Sequence, residues 1–143
     1  MDGLIITPLT QITDDRGKVM HMLRADSPLF KQFGEVYFSV VYPRAVKAWK
    51  KHLSMTQNLA VPIGCIQMVI YDDREDSSHR GQIKEIEIGD DNYALLTIPP
   101  LVWYGFKAIS NTAALITNCA DIPHDQTEVI RLPKETSLIP YRW

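Results

Sequence analysis

The residues best suited to chemistry lie in segment 45–64, AVKAWKKHLSMTQNLAVPIG, where lysines surround one histidine. Lys47, Lys50 and Lys51 precede His52. An imidazole has an ordinary pKa of about 6.5, so His52 can act as a general base near neutral pH. The neighbouring ammonium groups can hold a phosphate or stabilise a developing oxyanion. A solvated strand end is the alternative interpretation, but the apolar residues between the cations favour a segment that lines a cavity.

A second candidate group is the aromatic turn IPPLVWYGF at residues 98–106. Its two prolines cannot donate hydrogen bonds to a sheet, so they mark the end of a strand. One interpretation is a barrel core in which Gly105 relieves a crowded bend, and Phe106 fits it. The functional interpretation places Tyr104 at the mouth of a pocket, where its phenol acts as a donor.

The histidines are too dispersed to predict a metal site. His21, His52, His79 and His124 form no HxH or HxxxH pair, whereas a closed zinc or iron site needs three or four converging ligands. The loop YDDREDSSHRG at 71–81 has carboxylates that could suggest magnesium, but alternating charges in a loop are more often solvated. We therefore predict no metal and a solvated loop.

Composition predicts an ordinary globular domain. The chain has 143 residues and a formal charge of −2, so neither nucleic acid nor an anionic membrane is an expected partner. The first residues lack the basic and apolar regions of a signal peptide, and no apolar run approaches the roughly 20 residues that span a bilayer. Cys65 and Cys119 are far apart in sequence, which is typical of a reducing compartment. We expect one domain over residues 1–143, located in the cytoplasm.

Short strands must position these groups. The period-2 alternation of IKEIEI predicts a half-buried strand in an antiparallel sheet. One helix is predicted, over DSPLFKQF at 26–33, with Asp26 or Ser27 as its N-cap. Turn signals separate the other segments, so the pattern predicts an all-β sandwich or barrel, with a jelly roll favoured. Segments rich in β-branched and aromatic residues are the predicted strands: GLIITPL, EVYFSVVY, IQMVIYD, IKEIEIG, YALLTI and AALITNC.

The order of several motifs resembles the dTDP-4-dehydrorhamnose 3,5-epimerase family, which are metal-independent cupins of nucleotide-sugar metabolism. The motifs are DDRG near the start, KHLSMTQ, the loop DDREDSSHRG, the turn IPPLVWYGF and the tail HDQTEV. The resemblance covers residues from about Asp14 to Pro133. It implies a cupin-type jelly roll with one or two short helices, no cofactor, a nucleoside-diphosphate sugar as substrate, and a homodimer that exchanges N-terminal strands.

The chemistry that this resemblance implies is proton abstraction beside the C4 ketone of the sugar. A histidine takes the proton, basic side chains stabilise the enolate, and a tyrosine returns a proton to the other face. His52 matches the base. Arg16 matches the arginine that reaches the nucleotide of a neighbouring subunit. Lys47 best matches a second family arginine, with Lys50 and Lys51 as rivals.

Four positions depart from the family pattern. Gln57 stands where a lysine is expected, Tyr104 where a histidine is expected, and Thr117 where the catalytic tyrosine is expected. The family's aspartate partner of the histidine has no match before the chain ends at SLIPYRW. Tyr104 therefore becomes the expected acid, and Asp121, Glu128 or a partner chain becomes the expected partner of the base.

The leading hypothesis is a nucleotide-sugar epimerase or isomerase that acts beside the C4 ketone of a 4-keto-6-deoxy sugar. Loss of one acid would reduce a double epimerisation to a single one. The alternative is a catalytically degenerate cupin that binds a sugar nucleotide or a partner without turnover. A lyase or cyclase on the same barrel is a third hypothesis, because fold does not fix function. The candidate site is His52 and Tyr104 as catalytic groups, with Arg16, Lys47, Lys50, Lys51, Gln57 and Thr117 for substrate binding.

Overall fold

Short apolar runs between turns form twelve β-strands in the computed structural model, which describes residues 1–143. The only helix is a 3₁₀-helix at Gln126–Glu128, and no helix has the length and apolar character needed to cross a membrane. The strands are β1 (Ile5–Pro8), β2 (Gln11–Asp14), β3 (Gly17–Met20), β4 (Glu35–Val41), β5 (Val46–His52), β6 (Gln57–Ile63), β7 (Cys65–Tyr71), β8 (Ile83–Gly89), β9 (Ala94–Ile98), β10 (Trp103–Ala108), β11 (Ala114–Ala120) and β12 (Val129–Arg131).

Two five-stranded sheets make up the body of the fold. The first has the strand order β1-β9-β6-β11-β4 and the second has the order β12-β5-β10-β7-β8. Every ladder within them is antiparallel. A separate hairpin, β2–β3, stands apart from both sheets. This arrangement confirms the predicted all-β fold of the jelly-roll kind, and it leaves β4 and β12 as edge strands.

The core lies between the two sheets. A cluster of 17 buried residues draws side chains from both, including Leu59 and Ile116 from the first sheet and Ile66, Met68 and Ile70 from the second. Full burial of an aliphatic side chain of this size stabilises the fold by about 1.5–3 kcal/mol. Burial of these inner faces therefore fixes how the two sheets stack, and with it which side chains face each other at the open edge.

Each of the six predicted strands is present, with ends that differ by a few residues from those expected. The predicted helix at 26–33 is wrong. Ser27 instead forms a local turn, because its hydroxyl accepts from the backbone N–H of Leu29 at 3.2 Å and its carbonyl accepts from Phe30 N–H at 3.0 Å. Ser side chains compete with helical hydrogen bonding in this way. An isolated helix of eight residues is also too short to be stable without a packed face, and Phe33 is 67% exposed.

Gly105 allows β10 to approach β5 closely. A Cβ atom at this position would lie 2.5 Å from the Cβ of Ala48, well inside van der Waals contact. The ladder between β10 and β5 also shifts register between Tyr104 and Gly105. The predicted crowded bend is therefore confirmed. The bend lies within β10, directly after Tyr104, where β10 pairs with the strand that carries His52.

The charged loop after β7 is organised by one buried carboxylate. Asp72 is wholly buried and accepts from Arg74 Nη2 at 2.6 Å and from Ser77 Oγ at 2.7 Å. The hydrogen bond from Arg74, reinforced by Ser77, lowers the pKa of Asp72 to about 2 against the cost of burial. The prediction of a solvated loop is therefore wrong for Asp72, whose hydrogen bonds to Arg74 and Ser77 hold the loop together.

Candidate active site

A cavity of about 220 Å³ opens where the edge strand β4 of one sheet faces β5 and β12 of the other. A larger depression of about 1040 Å³ lies under the C-terminal segment, but no histidine lines it. The smaller cavity contains the only histidine held by a buried carboxylate, so it is the candidate site. Its lining residues are Glu35, Tyr37, Lys50, His52, His124, Val129 and Arg131.

The alternation of β5 separates the lysines that the sequence places together. Side chains of successive strand residues point to opposite faces, so Lys50 and His52 enter the cavity while Lys51 points to the outer face. There Lys51 Nζ lies 2.6 Å from Asp73 Oδ2 and 4.7 Å from the ring centroid of Trp103. Lys51 is thus placed away from the candidate site, and its expected role in substrate binding is not supported by its position.

Lys47 lies at the margin between the two sheets. Its Nζ donates to Ser39 Oγ on β4 at 3.0 Å, which links the edge of the first sheet to β5. The Lys47 ammonium is close enough to contribute to the lowered pKa of Lys50. Lys47 therefore lies beside the cavity and adds positive charge to its rim.

Glu128 holds the imidazole of His52. His52 Nδ1 is hydrogen-bonded to Glu128 Oε1, and the other carboxylate oxygen accepts the backbone N–H groups of Ser54 and Met55 at 3.1 and 3.2 Å. An ionised carboxylate can only accept, so Nδ1 carries the proton and Nε2 has a free lone pair. The structure identifies Glu128 as the partner of His52. Asp121, the other expected candidate in the chain, instead accepts from Thr56 N–H at 2.8 Å.

The surroundings keep His52 neutral and Glu128 charged. Burial lowers the pKa of His52, and the charges of Lys50 and Arg131 act in the same direction, while Glu128 opposes them. Burial alone would raise the pKa of Glu128, but the hydrogen bonds from His52 and the two amides outweigh it and the pKa is lowered. A neutral imidazole oriented by a carboxylate is the form that a general base needs.

Tyr104 lies directly beside the base, on the neighbouring strand of the same sheet. Its hydroxyl is 3.3 Å from His52 Nε2, and the two rings are stacked with centroids 6.0 Å apart. The phenol is 5% exposed, and burial raises its pKa well above the ordinary value. Tyr104 therefore stays protonated, with its hydroxyl beside Nε2 of His52.

A buried amide network on the first sheet supports Tyr37, which lines the cavity. Asn118 Nδ2 donates to Gln57 Oε1 at 3.2 Å and to the hydroxyl of Tyr37 at 2.8 Å. Asn118 Oδ1 accepts the backbone N–H of Asn58 at 3.2 Å, so the orientation of the amide is fixed. Gln57 is 2% exposed. Gln57 therefore contacts the site from behind, beside Asn118 and Tyr104, and its expected role in substrate binding stays a prediction.

Thr117 faces away from this network. Burial alternates along β11, with Ile116 and Asn118 buried and Thr117 only half-buried between them. Because neighbouring strand residues point to opposite faces, the Thr117 side chain lies on the outer face of the sheet. Thr117 therefore does not line this cavity within the chain, Asn118 occupies the inner position, and the substrate-binding role of Thr117 stays a prediction.

A cationic pair lines the wall around the base. Arg131 on β12 is the register partner of Lys50 on β5, and both line the cavity. Partial loss of hydration lowers the pKa of Lys50, and the charges of Arg131 and Lys47 act in the same direction. Sequence analysis missed Arg131; the available signal was its place two residues after Val129, on the same face of a short strand. These cations can hold a phosphate or an oxyanion.

Arg16 does not line the cavity within this chain. It sits at the turn of the β2–β3 hairpin, with its side chain 86% exposed and its Nη2 2.7 Å from Asp14 Oδ2. A role across a subunit interface stays a prediction. No group of three or more His, Cys, Asp or Glu side chains is arranged to hold a metal ion.

Comparisons with known proteins agree with this geometry. The family model for dTDP-4-dehydrorhamnose 3,5-epimerase matches residues 1–141. The chain is 32% identical over 145 residues to the spore coat polysaccharide biosynthesis protein SpsL of Bacillus subtilis (strain 168), covering 100% of this chain and 96% of SpsL. It is 37% identical over 107 residues to the probable low-salt glycan biosynthesis epimerase Agl13 of Haloferax volcanii, covering 73% and 69% of the two chains.

A solved structure extends the likeness to the fold. The dTDP sugar isomerase from Desulfovibrio desulfuricans G20 is 54% identical and superposes with a TM-score of 0.97, covering 99% of this chain and 91% of the isomerase. The match includes the strands that carry His52, Tyr104 and Arg131.

Proposed function

The chain belongs to the dTDP-4-dehydrorhamnose 3,5-epimerase family and has a nucleotide-sugar epimerase-like function, and we propose that its substrate is a nucleoside-diphosphate 4-keto-6-deoxy sugar. The ketone at C4 acidifies the C–H bonds at C3 and C5. The reaction is proton exchange at one or both of these carbons, with inversion of configuration. The protein is thus an isomerase.

His52 is the proposed base. Its Nε2 lone pair takes the proton from carbon, the C–H electron pair forms the enolate, and negative charge collects on the C4 oxygen. Lys50 and Arg131 stabilise that charge, and the Glu128 carboxylate stabilises the imidazolium that forms. A phenol then returns a proton to the carbon, and solvent restores both groups. Tyr104 is the phenol that the sequence analysis predicts for this step. No cofactor is needed for these steps.

The His52–Glu128 pair is the observation that carries this proposal. Two departures favoured a binding module without turnover: the missing catalytic tyrosine and the missing carboxylate partner of His52. Glu128 supplies that partner, and its hydrogen bond fixes the tautomer that leaves Nε2 free. Binding of a sugar nucleotide without turnover does not require a buried, neutral and oriented imidazole. The enzyme hypothesis therefore accounts for more of the site.

The cavity suits the sugar and leaves the nucleotide outside. At about 220 Å³ it is smaller than the usual 300–1,000 Å³ of a pocket for a larger ligand. We propose that the diphosphate lies along the cations Lys47, Lys50 and Arg131 at the rim. The nucleoside would then extend toward a partner subunit, where Arg16 of the β2–β3 hairpin can reach it.

A homodimer is proposed on the basis of exposed apolar side chains. The outer face of β4 presents Val36, Phe38 and Val40 at 44%, 66% and 49% exposure. The register partners Ile12 and Val19 of the β2–β3 hairpin are each 57% exposed. Contiguous exposed apolar surface marks an interaction site. We propose one domain over residues 1–143, and a cytoplasmic location in keeping with two free cysteines.

Proton NMR in D₂O tests the proposed function. The protein is added to dTDP-4-keto-6-deoxyglucose, with His52→Ala as the comparison variant. Deuterium at C3, C5 or both, only with intact His52, is the expected result and identifies the carbon. Saturable nucleotide-sugar binding without exchange by the wild type would instead support the binding module.

A further inference from the structure

Inversion at carbon requires an acid on the opposite side of the sugar from the base. The reacting atoms in such a site must approach to about 3–3.5 Å on each side of the carbon. Tyr104 does not meet this requirement, because its hydroxyl is only 3.3 Å from His52 Nε2. It also lies on β10, which is bonded to β5 in the same sheet. No carbon fits between these two groups.

A second phenol lies across the cavity. Tyr37 is on β4, the edge strand of the facing sheet, and lines the same cavity as His52. Its side chain is half-buried, which leaves it accessible to a ligand that enters from the rim. Base and phenol therefore belong to different sheets, and a sugar ring bound in the cavity would lie between them.

The hydrogen bonding around Tyr37 leaves its proton available. The hydroxyl oxygen accepts from Asn118 Nδ2 at 2.8 Å. That amide cannot be reversed without loss of two bonds, because its oxygen accepts from Asn58 N–H and its nitrogen also donates to Gln57. Since the oxygen of Tyr37 accepts, its own O–H is free to donate into the cavity.

On the basis of the epimerase function proposed above, we propose that Tyr37 is the acid that protonates the enolate on the face opposite His52. The Tyr37 O–H bond breaks, a new C–H bond forms from the enolate electron pair, and the C4 ketone is restored. The phenolate left behind keeps the Asn118 hydrogen bond and recovers its proton from solvent. Tyr104 then has a different role, which is to position the neutral imidazole of His52.

The same network explains why the phenol comes from β4. Asn118 and Tyr37 are register partners on adjacent antiparallel strands. β11 itself offers no phenol, since Asn118 fills its inner position and Thr117 faces outward. Burial raises the pKa of Tyr37, and the Asn118 hydrogen bond opposes that effect, which keeps the phenol protonated at neutral pH and supports the phenolate once it forms.

Exchange and inversion measured separately test this role. We compare Tyr37→Phe and Tyr104→Phe with Tyr42→Phe, an exposed tyrosine just beyond the end of the same strand. In D₂O, Tyr37→Phe is expected to retain deuterium exchange with retention of configuration, because His52 returns the deuteron to the face it came from. Formation of the inverted sugar should fall by about 100-fold or more. Tyr42→Phe should match the wild type.

Several results would overturn the assignment. Wild-type inversion by Tyr37→Phe would do so, and so would selective loss of inversion in Tyr104→Phe. If Tyr37→Phe fails to fold, fluorotyrosine at position 37 keeps the ring and lowers the pKa of its phenol; an unchanged alkaline limb of the inversion rate in that variant would also reject the proposal. If the wild type exchanges no proton with the 4-keto sugar, the epimerase function and the role of Tyr37 fail together. If the wild type exchanges the proton and inverts the sugar, the epimerase function stands, and the variants then test the role of Tyr37 alone.

Discussion

Glu128 in the 3₁₀-helix and His52 at the end of β5 are 76 positions apart in the chain, yet they form one buried hydrogen-bonded pair. The helix that carries Glu128 is capped by Asp125, whose side chain accepts from Thr127 N–H at 2.8 Å. The two amides that follow His52 hold the second carboxylate oxygen. The position of the base is therefore set by backbone as well as by side chains.

Replacement of Glu128 by Gln should remove most of the catalysis. An amide can present its NH₂ group to Nδ1, which moves the proton to Nε2 and removes the lone pair that the base needs. The loss in kcat is expected between about 10² and 10⁴, the range for a general base or its orienting carboxylate. Epimer formation by NMR measures it. Glu135→Gln, on an exposed carboxylate, is the matched control, and equal activity in both variants would rule out the pair.

Removal of the Lys50 charge should move the pH profile. Activity is lost as pH falls through the pKa of His52, because only the neutral imidazole accepts a proton. The acid limb of kcat/KM is therefore expected below the ordinary value of about 6.5, in line with the lowered pKa of His52. Since the Lys50 charge lowers that pKa, Lys50→Met should shift the limb to higher pH. The exposed Lys84 on β8 gives the control Lys84→Met, which should leave the limb in place. A shift to lower pH would contradict the assignment.

Asp72→Asn should destabilise the fold without a direct effect on the site. The pKa of Asp72 is about 2 in the folded protein and 3.8 without the fold's contacts, a difference worth about 2 kcal/mol at neutral pH. Because the folded pKa is the lower one, this stabilisation is present above about pH 4 and is lost as pH falls toward 2. Urea unfolding at pH 7 and pH 3 measures it. Asp76→Asn, at an exposed position in the same loop, should change little at either pH, and an equal effect of both variants would show that Asp72 has no special role.

Phe38→Lys should convert a dimer to a monomer. Phe38 is 66% exposed in the middle of the apolar face of β4, and a charge there would be desolvated without a partner in an interface. Light scattering after size-exclusion chromatography measures the mass at several concentrations. Leu138→Lys changes an equally exposed side chain elsewhere, at 69%, and should leave the dimer intact. A wild-type monomer, or a dimeric Phe38→Lys variant, would refute the proposed interface.

Local pattern was enough to predict the fold class. Strand periodicity and turn residues act over a few positions, so segments such as IKEIEIG and YALLTI could be recognised one by one. The failure at 26–33 has a local cause too, because the Ser27 turn competes with the helix that the same residues suggest. Motif order identified the family, and it also predicted His52 as the base.

The composition of the site was decided by tertiary structure. Adjacent lysines could not be sorted until the sheet placed Lys50 inside and Lys51 outside, since a shift of one residue reverses the face of a strand. The same rule turned Thr117 to the outer face of the sheet and placed Asn118 on the inner face, where it supports Tyr37. Glu128, Arg131 and Tyr37 reach the base from distant parts of the chain, through a cavity that exists only where two sheets meet. Sequence by itself therefore determined the family and the fold and predicted His52 as the base, whereas the partners of His52 depended on packing between the sheets.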